Sequence, residues 1–78
     1  MPETPVLRTP AQIGALVRAR RKALATTQAE LAALSDVGPR FVGDLERGKP
    51  TLEIGKVLRV LERLGLAIVA RRREELDE

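Results

Sequence analysis

Three threonines set where this chain turns into helix. In "TPAQ" (9–12), Thr9 can cap, Pro10 fits the first helical turn where its missing N–H costs nothing, and Gln12 stands where a capping box needs it. "TQAE" (27–30) repeats the device with Thr27 and Glu30, each side chain able to satisfy an orphan amide of the other's turn. In "PTLE" (50–53), Thr51 begins a further helix after Pro50, although Ile54 at the third helical position leaves that box incomplete. Starts this closely spaced cut the chain into short helices, and short helices need partners to bury their apolar faces.

The apolar spacing fills in those helices. The first is expected over about 10–25, with Ile13, Leu16, Val17 and Leu24 on one stripe, Arg18, Arg21 and Lys22 off it, and Arg20 nearer its edge. The second runs over about 28–35 with Leu31, Ala32 and Leu34 on its apolar side. The last long helix, about 52–64, buries Leu52, Val57, Leu58, Leu61 and Leu64, tolerates Gly55 at some cost and ends at Gly65 in the cap position. Between them, "DVGPRFVGD" (36–44) carries two glycines and a proline, which by ordinary punctuation marks a loop. The spacing of Val37, Val42 and Leu45 predicts a helix over 39–47 instead. Gly38 then acts as an acceptable cap, Pro39 as a favourable first residue, and Val37 as a plug in the preceding turn. Gly43 remains inside the helix at about 1 kcal/mol relative to Ala. Either close approach to a ligand backbone or tolerated drift accounts for it.

After Gly65 the pattern changes. "LAIVA" (66–70) is short, partly β-branched and followed by Arg71, Arg72 and Arg73, which predicts a strand. A lone strand cannot satisfy its own backbone, so the economical partner is the same strand of a second copy, paired antiparallel across a twofold axis. Leu66, Ile68, Val69 and Ala70 are the candidate dimerisation residues; a fifth helix or a frayed tail is the competing reading. The expected organisation is an N-terminal arm (1–8), a helical domain (9–65), a dimerisation strand (66–73) and an acidic tail (74–78). A homodimer also suits the length, because folding 78 residues buries only about 60% of the unfolded chain's surface.

Composition limits what such a bundle can do. The chain has no Cys, His, Trp or Tyr, its one aromatic residue is Phe41, and Ser35 is its only serine. That removes disulfides, the usual zinc ligands and any triad, so neither catalysis nor a metal or other cofactor is expected. No apolar run approaches the roughly 20 residues needed to span a bilayer, and "MPETPVLR" lacks the apolar stretch of a signal peptide, so a cytoplasmic protein with no membrane partner is expected. The net charge of +3 conceals an asymmetry, since Glu74, Glu75, Asp77 and Glu78 crowd the end. Residues 1–73 carry 14 basic and 7 acidic side chains, a net +7, which points first to a nucleic-acid partner and second to a merely soluble surface.

The text "TQAELAALSDVGPRFVGDLERGKPTLEIGKVLRVLERLGL" (27–66) resembles the helix-turn-helix core of the Cro/repressor (XRE) family: Thr-Gln-x-Glu-Leu-Ala, a turn, a recognition helix, a Glu-Arg-Gly-Lys close and a Pro-Thr-Leu start. The resemblance covers about half the chain. It implies an all-α, lambda-repressor-like bundle of four helices, here with one short C-terminal strand. Ala32 stands at the family's small position where the two motif helices cross, and Val37 and Val42 match its apolar turn and packing positions. Asp36 stands where the family commonly has Gly, a mild departure because Asp accepts left-handed backbone angles. Within the family the chain is most similar to HipB-like antitoxins, through the opening "TPAQIGALVRARRKALATTQAEL" and the leucine-rich helix running into "GLAIVARRR". That subgroup implies strand pairing across a homodimer, a HipA-like toxin kinase as partner, and autorepression of a shared operon on double-stranded operator DNA. The alternatives are an XRE-type regulator with no toxin partner, or a protein-interaction module whose DNA affinity is incidental.

A motif of this kind lays its second helix in the major groove with its N-terminus toward the bases. Gly38, Pro39, Arg40, Gly43 and Asp44 then face DNA, and only Arg40 and Asp44 bring polar side chains. Arg40 is the expected bidentate reader of a guanine. Asp44 fits two roles, accepting from cytosine or orienting Arg40, and Phe41 fits the core better than a thymine methyl. Gln28 resembles the family's phosphate-contact glutamine, with the helix dipole behind it. Arg47 and Lys49 are placed to reach the backbone, while Glu46 is expected to hold a basic side chain. Arg18, Arg20, Arg21 and Lys22 fit phosphate contacts, a solvated face or an ion pair with Glu46 or Glu62; Arg71–Arg73 flank the strand or meet an acidic partner.

Overall fold

The computed structural model describes residues 4–76. Met1–Glu3 of the expected arm and Asp77 and Glu78 of the expected acidic tail lie outside the described residues. The chain is all-helical, in the order α1 (Pro10–Ala23), α2 (Gln28–Ser35), α3 (Pro39–Glu46), α4 (Ile54–Arg63) and α5 (Arg73–Leu76).

Both capping boxes form. The Gln12 amide donates to Thr9 Oγ1 at 3.1 Å while the Thr9 amide donates to Gln12 Oε1 at 3.1 Å. At α2 the Glu30 amide donates to Thr27 Oγ1 at 3.0 Å, and the Thr27 amide to Glu30 Oε1 at 2.9 Å. Gly38 and Pro39 open α3 as cap and first residue. The expected start at Thr51 is corrected. Residues 50–53 remain outside helix, and Glu53 is the N-cap of α4 without a side-chain cap bond. Ile54 cannot complete a box from Thr51, and Leu52 is used as a half-buried anchor against the core before the helix begins.

The core is one cluster: Val17 from α1, Leu31 and Ala32 from α2, Val42 and Leu45 from α3, and Val57, Val60 and Leu61 from α4 with Leu64 just beyond it. Helix α3 packs against both α1 and α2, and α2 also packs against α4. Ile13, Val37, Phe41 and Leu66 close the cluster's margins. Three leucines expected inside are exposed: Leu24, Leu34 and Leu58. Leu24 is the C-cap of α1, past the helical phase that put it on the stripe. In α4, residues 57, 60, 61 and 64 share the inner face by helical spacing, which turns Ile54 and Leu58 to the flank and brings Val60 fully inside. On α2, Leu31 and Ala32 take the inner face and Leu34 stays 58% exposed.

Two backbone predictions concern left-handed angles. Asp36 ends α2 at φ 57°, ψ 49°, the conformation anticipated for it, and Gly65 follows α4 at φ 74°. The Leu66 amide then donates to Leu61 O at 2.9 Å, tying the exit of α4 to its last turn.

Among the described residues there is no strand. Residues 66–72 have no regular structure in the single chain, where a ladder partner is lacking, and Ile68 and Val69 are more than half exposed. The described part of the expected acidic tail is in a helical turn, Arg73–Leu76, with the Arg72 guanidinium near Glu74 and Glu75.

Candidate nucleic-acid interface

Arginines from two other helices fix how α3 is presented. Arg59 on α4 donates from Nε to Ser35 O at 3.0 Å and from Nη2 to Asp36 O at 2.9 Å, satisfying carbonyls left orphaned where α2 ends. The turn into α3 is thereby pinned to α4. Arg21 on α1 makes a two-point contact with Glu46, the last residue of α3, through Nε to Oε2 at 2.6 Å and Nη2 to Oε1 at 3.0 Å. Its Nη1 also donates to Thr26 O at 2.9 Å, so one guanidinium joins α1, the loop into α2 and the end of α3. Arg21 was expected off the buried stripe, and the correction follows from this pairing: a planar fork with matched acceptors tolerates burial where a lone charge does not.

Glu46 is the more enclosed partner, its side chain 3% exposed. Burial pushes its carboxyl group up, but the hydrogen bonds from Arg21 and Gln28 and the charges of Arg21 and Arg18 outweigh this and hold it below the ordinary carboxylate value. The same hydrogen bond raises the Arg21 guanidinium further. Gln28 Nε2 donates to Glu46 Oε1 at 2.9 Å, which orients the amide at the start of α2 and leaves its second N–H for another acceptor.

The outward face of α3 gathers the remaining expected residues. Gly38, Pro39 and Arg40 are exposed at its N-terminal end, with the Arg40 side chain 89% exposed. Asp44 lies one turn further on. Arg47 Nη2 donates to Asp44 Oδ1 at 2.6 Å, and Arg40 Nε and Lys49 Nζ each stand 3.8 Å from Oδ2. Arg40, Asp44, Arg47 and Lys49 thus form one charged face, while Phe41 turns inward against the core. Gly43 is buried between Gln28 and Arg47: a Cβ there would stand 3.3 Å from Arg47 Nη1 and 3.7 Å from Gln28 Oε1.

Other cations are taken up internally. Arg20 Nε donates to Leu64 O at 2.9 Å, closing the end of α4 as Arg59 closes α2. Half of the apparent nucleic-acid signal in the first helix is therefore structural, while Arg18 and Lys22 are exposed. Arg59 had no sequence signal, since its carbonyl partners lie 24 and 23 residues away.

Two short helices joined by a left-handed turn, the second propped on α1 and showing a basic outer face, define a helix-turn-helix DNA-binding protein. The helix-turn-helix family model matches residues 17–70, and the chain belongs to that family of transcriptional regulators. Over 62 residues it is 58% identical to an uncharacterized HTH-type transcriptional regulator, y4mF, of Sinorhizobium fredii, covering 80% of this chain and 82% of the relative. Among solved structures, HipB in a HipB–O4 20mer complex has the same fold, with a TM-score of 0.82 at 17% identity over 90% of this chain and 99% of that one. The clp gene regulator ClgR of Corynebacterium glutamicum aligns with a TM-score of 0.69 at 29% identity, over 85% of each chain. No helix among the described residues is long and apolar enough to cross a membrane.

Proposed function

We propose that the chain is a dimeric, sequence-specific repressor that lays α3 in the major groove of operator DNA. The observation that carries this is the charged face that Arg40 and Asp44 of α3 form with Arg47 and Lys49 just beyond it, on a helix whose inner side is fixed by core packing and by the Arg21–Glu46 pair. Arg40 reads a guanine, Gln28 meets a phosphate with its free N–H, and Lys49 meets the backbone beyond α3. Gly38 and Pro39 let the start of the helix approach the bases closely. Replacing Arg40 by Ala is expected to relax preference at one base pair per half-site by about 1–3 kcal/mol. Lys49→Ala should weaken all sequences alike and flatten the salt dependence. Selection from a random duplex pool followed by salt-titrated binding separates the two, and indifference of both variants would refute the interface.

Leu66, Ile68, Val69 and Ala70 form the dimer strand in this reading. The exposure of Ile68, Val69 and Ala70 in the single chain supports it, while Leu66 is half-buried against the core and anchors the segment. Ile68→Asp should convert a dimer to a monomer by mass measurement, and an unchanged dimer would remove the strand from the interface. The finer role is that of an antitoxin that binds a HipA-like kinase and represses its own operon in the cytoplasm. It is supported by the shared fold with the HipB chain of a HipA–HipB–O2–O3 complex, at a TM-score of 0.82 and 17% identity over 90% of this chain and 99% of that one. The likeness to ClgR favours a second reading, a regulator with no toxin partner. Co-purification with a kinase encoded beside the gene distinguishes them: no complex leaves the repressor and removes the antitoxin.

A further inference from the structure

Asp44 is the one acid on the outer face of α3, and three exposed cations converge on it. Its side chain is only 14% exposed, while those of Arg40, Arg47 and Lys49 are 89%, 69% and 49% exposed. The closest contact is with Arg47, a charge-assisted bond of 2.6 Å. Arg47 reaches it by lying back along the helix over Gly43, where any side chain would meet its guanidinium. A carboxylate placed this way does two things to a polyanion. It occupies a donor of Arg47 that a phosphate would otherwise take, and it repels any phosphate brought near the cluster.

Resting on the DNA-binding reading above, we propose that Asp44 is a positioning residue that sets specificity by restraining Arg47, and more weakly Lys49, from indiscriminate phosphate contact. Binding to random DNA is almost entirely phosphate contact, so the restraint falls most heavily there. A matched site also offers Arg40 a base edge, and the complex gains energy that owes nothing to Arg47. Discrimination then arises from a penalty on wrong sequences as well as a reward for the right one. Arg47 carries most of this restraint, at 2.6 Å from the carboxylate, whereas Arg40 and Lys49 both stand at 3.8 Å.

The test compares wild type and Asp44→Asn on two duplexes: one selected by the wild type from a random pool, and one of random sequence. Asparagine keeps the shape and an acceptor but removes the charge, and circular dichroism checks that the variant is folded. Random-duplex affinity is expected to rise about three- to tenfold at low salt, with the log–log salt slope steeper by about one. The selected duplex should gain less, so the ratio between the two falls. In an Arg47→Ala background the same substitution should gain less than half as much on a logarithmic scale. Unchanged random-duplex affinity and slope would overturn the proposal. So would a selective loss at one base pair, which would make Asp44 a reader, or an equal gain without Arg47. A wild type that binds no duplex at all defeats the DNA-binding reading itself, a result distinct from these.

Discussion

Arg21→Ala is expected to destabilise the protein more than any other single substitution at the motif. The substitution strands the Glu46 carboxylate, 3% exposed, without the two nitrogens that compensate its burial, and releases Thr26 O as well. Removing one partner of a buried pair costs about 3–5 kcal/mol. A domain of this length has a total stability of roughly 4–12 kcal/mol, so the loss is a large part of the whole. The melting temperature should fall by at least about 12 °C. Removing both partners is expected to be much milder, because no uncompensated charge remains inside. Thermal unfolding of the two single variants and the double variant measures this, and additive losses would show that the pair is not coupled.

The same pair makes stability depend on acidity. Glu46 has its folded-state pKa below the ordinary 4.5, so the unfolded chain takes up the proton more readily. The pair's stabilisation is therefore complete above about pH 4.5 and is lost as the pH falls through the lower, folded-state value. Glu46→Gln should shrink that acid-side loss while destabilising the protein at neutral pH. Because Gln28 shares the carboxylate, the variant also frees the amide at the start of α2, and its affinity for DNA should fall uniformly across sequences.

What could be read in advance was local. Thr9 with Gln12 and Thr27 with Glu30 lie within one turn of each other, and Asp36 and Gly65 meet left-handed angles at helix ends, so a few residues decide the outcome. Helix α4 shows how an error propagates: starting it at Thr51 counted Leu58 as core, whereas the inner face is Val57, Val60, Leu61 and Leu64. Charges were the least legible. Arg20, Arg21 and Arg59 read as surface by type, yet each holds a helix end through a partner distant in sequence: Leu64 O, the Glu46 carboxylate and Ser35 O. The positive balance that suggested nucleic acid thus mixes groups that hold α3 with groups that α3 displays, and only tertiary contacts separate them. Arg40, Asp44, Arg47 and Lys49 do gather on one face, because one helical turn sets Arg40 above Asp44 and the chain leaves α3 within reach of the same carboxylate.

Gly14 lies inside α1, where a glycine costs about 1 kcal/mol relative to Ala and so asks for a reason. The reason is backbone contact. A Cβ at this position would stand 2.3 Å from Leu45 O and 2.7 Å from Glu46 O, so α1 crosses the end of α3 at a distance only glycine allows. Gly14→Ala would gain the helix-propensity term and still lose, because the obstructing atoms belong to backbone, which cannot step aside as a side-chain tip can. Overpacking of a tight contact costs about 1–3 kcal/mol, and occasionally more, so a net destabilisation of up to about 2 kcal/mol is expected by denaturant titration. The more telling effect is on position. Separating α1 from Leu45 and Glu46 strains the Arg21 contact and shifts α3 against α2, moving Arg40 relative to Gln28. Operator affinity at a temperature where the variant is fully folded should therefore drop by more than affinity for random DNA. A variant of normal stability with normal discrimination would mean that the crossing has slack, and that α3 is placed by its contacts with α2 alone.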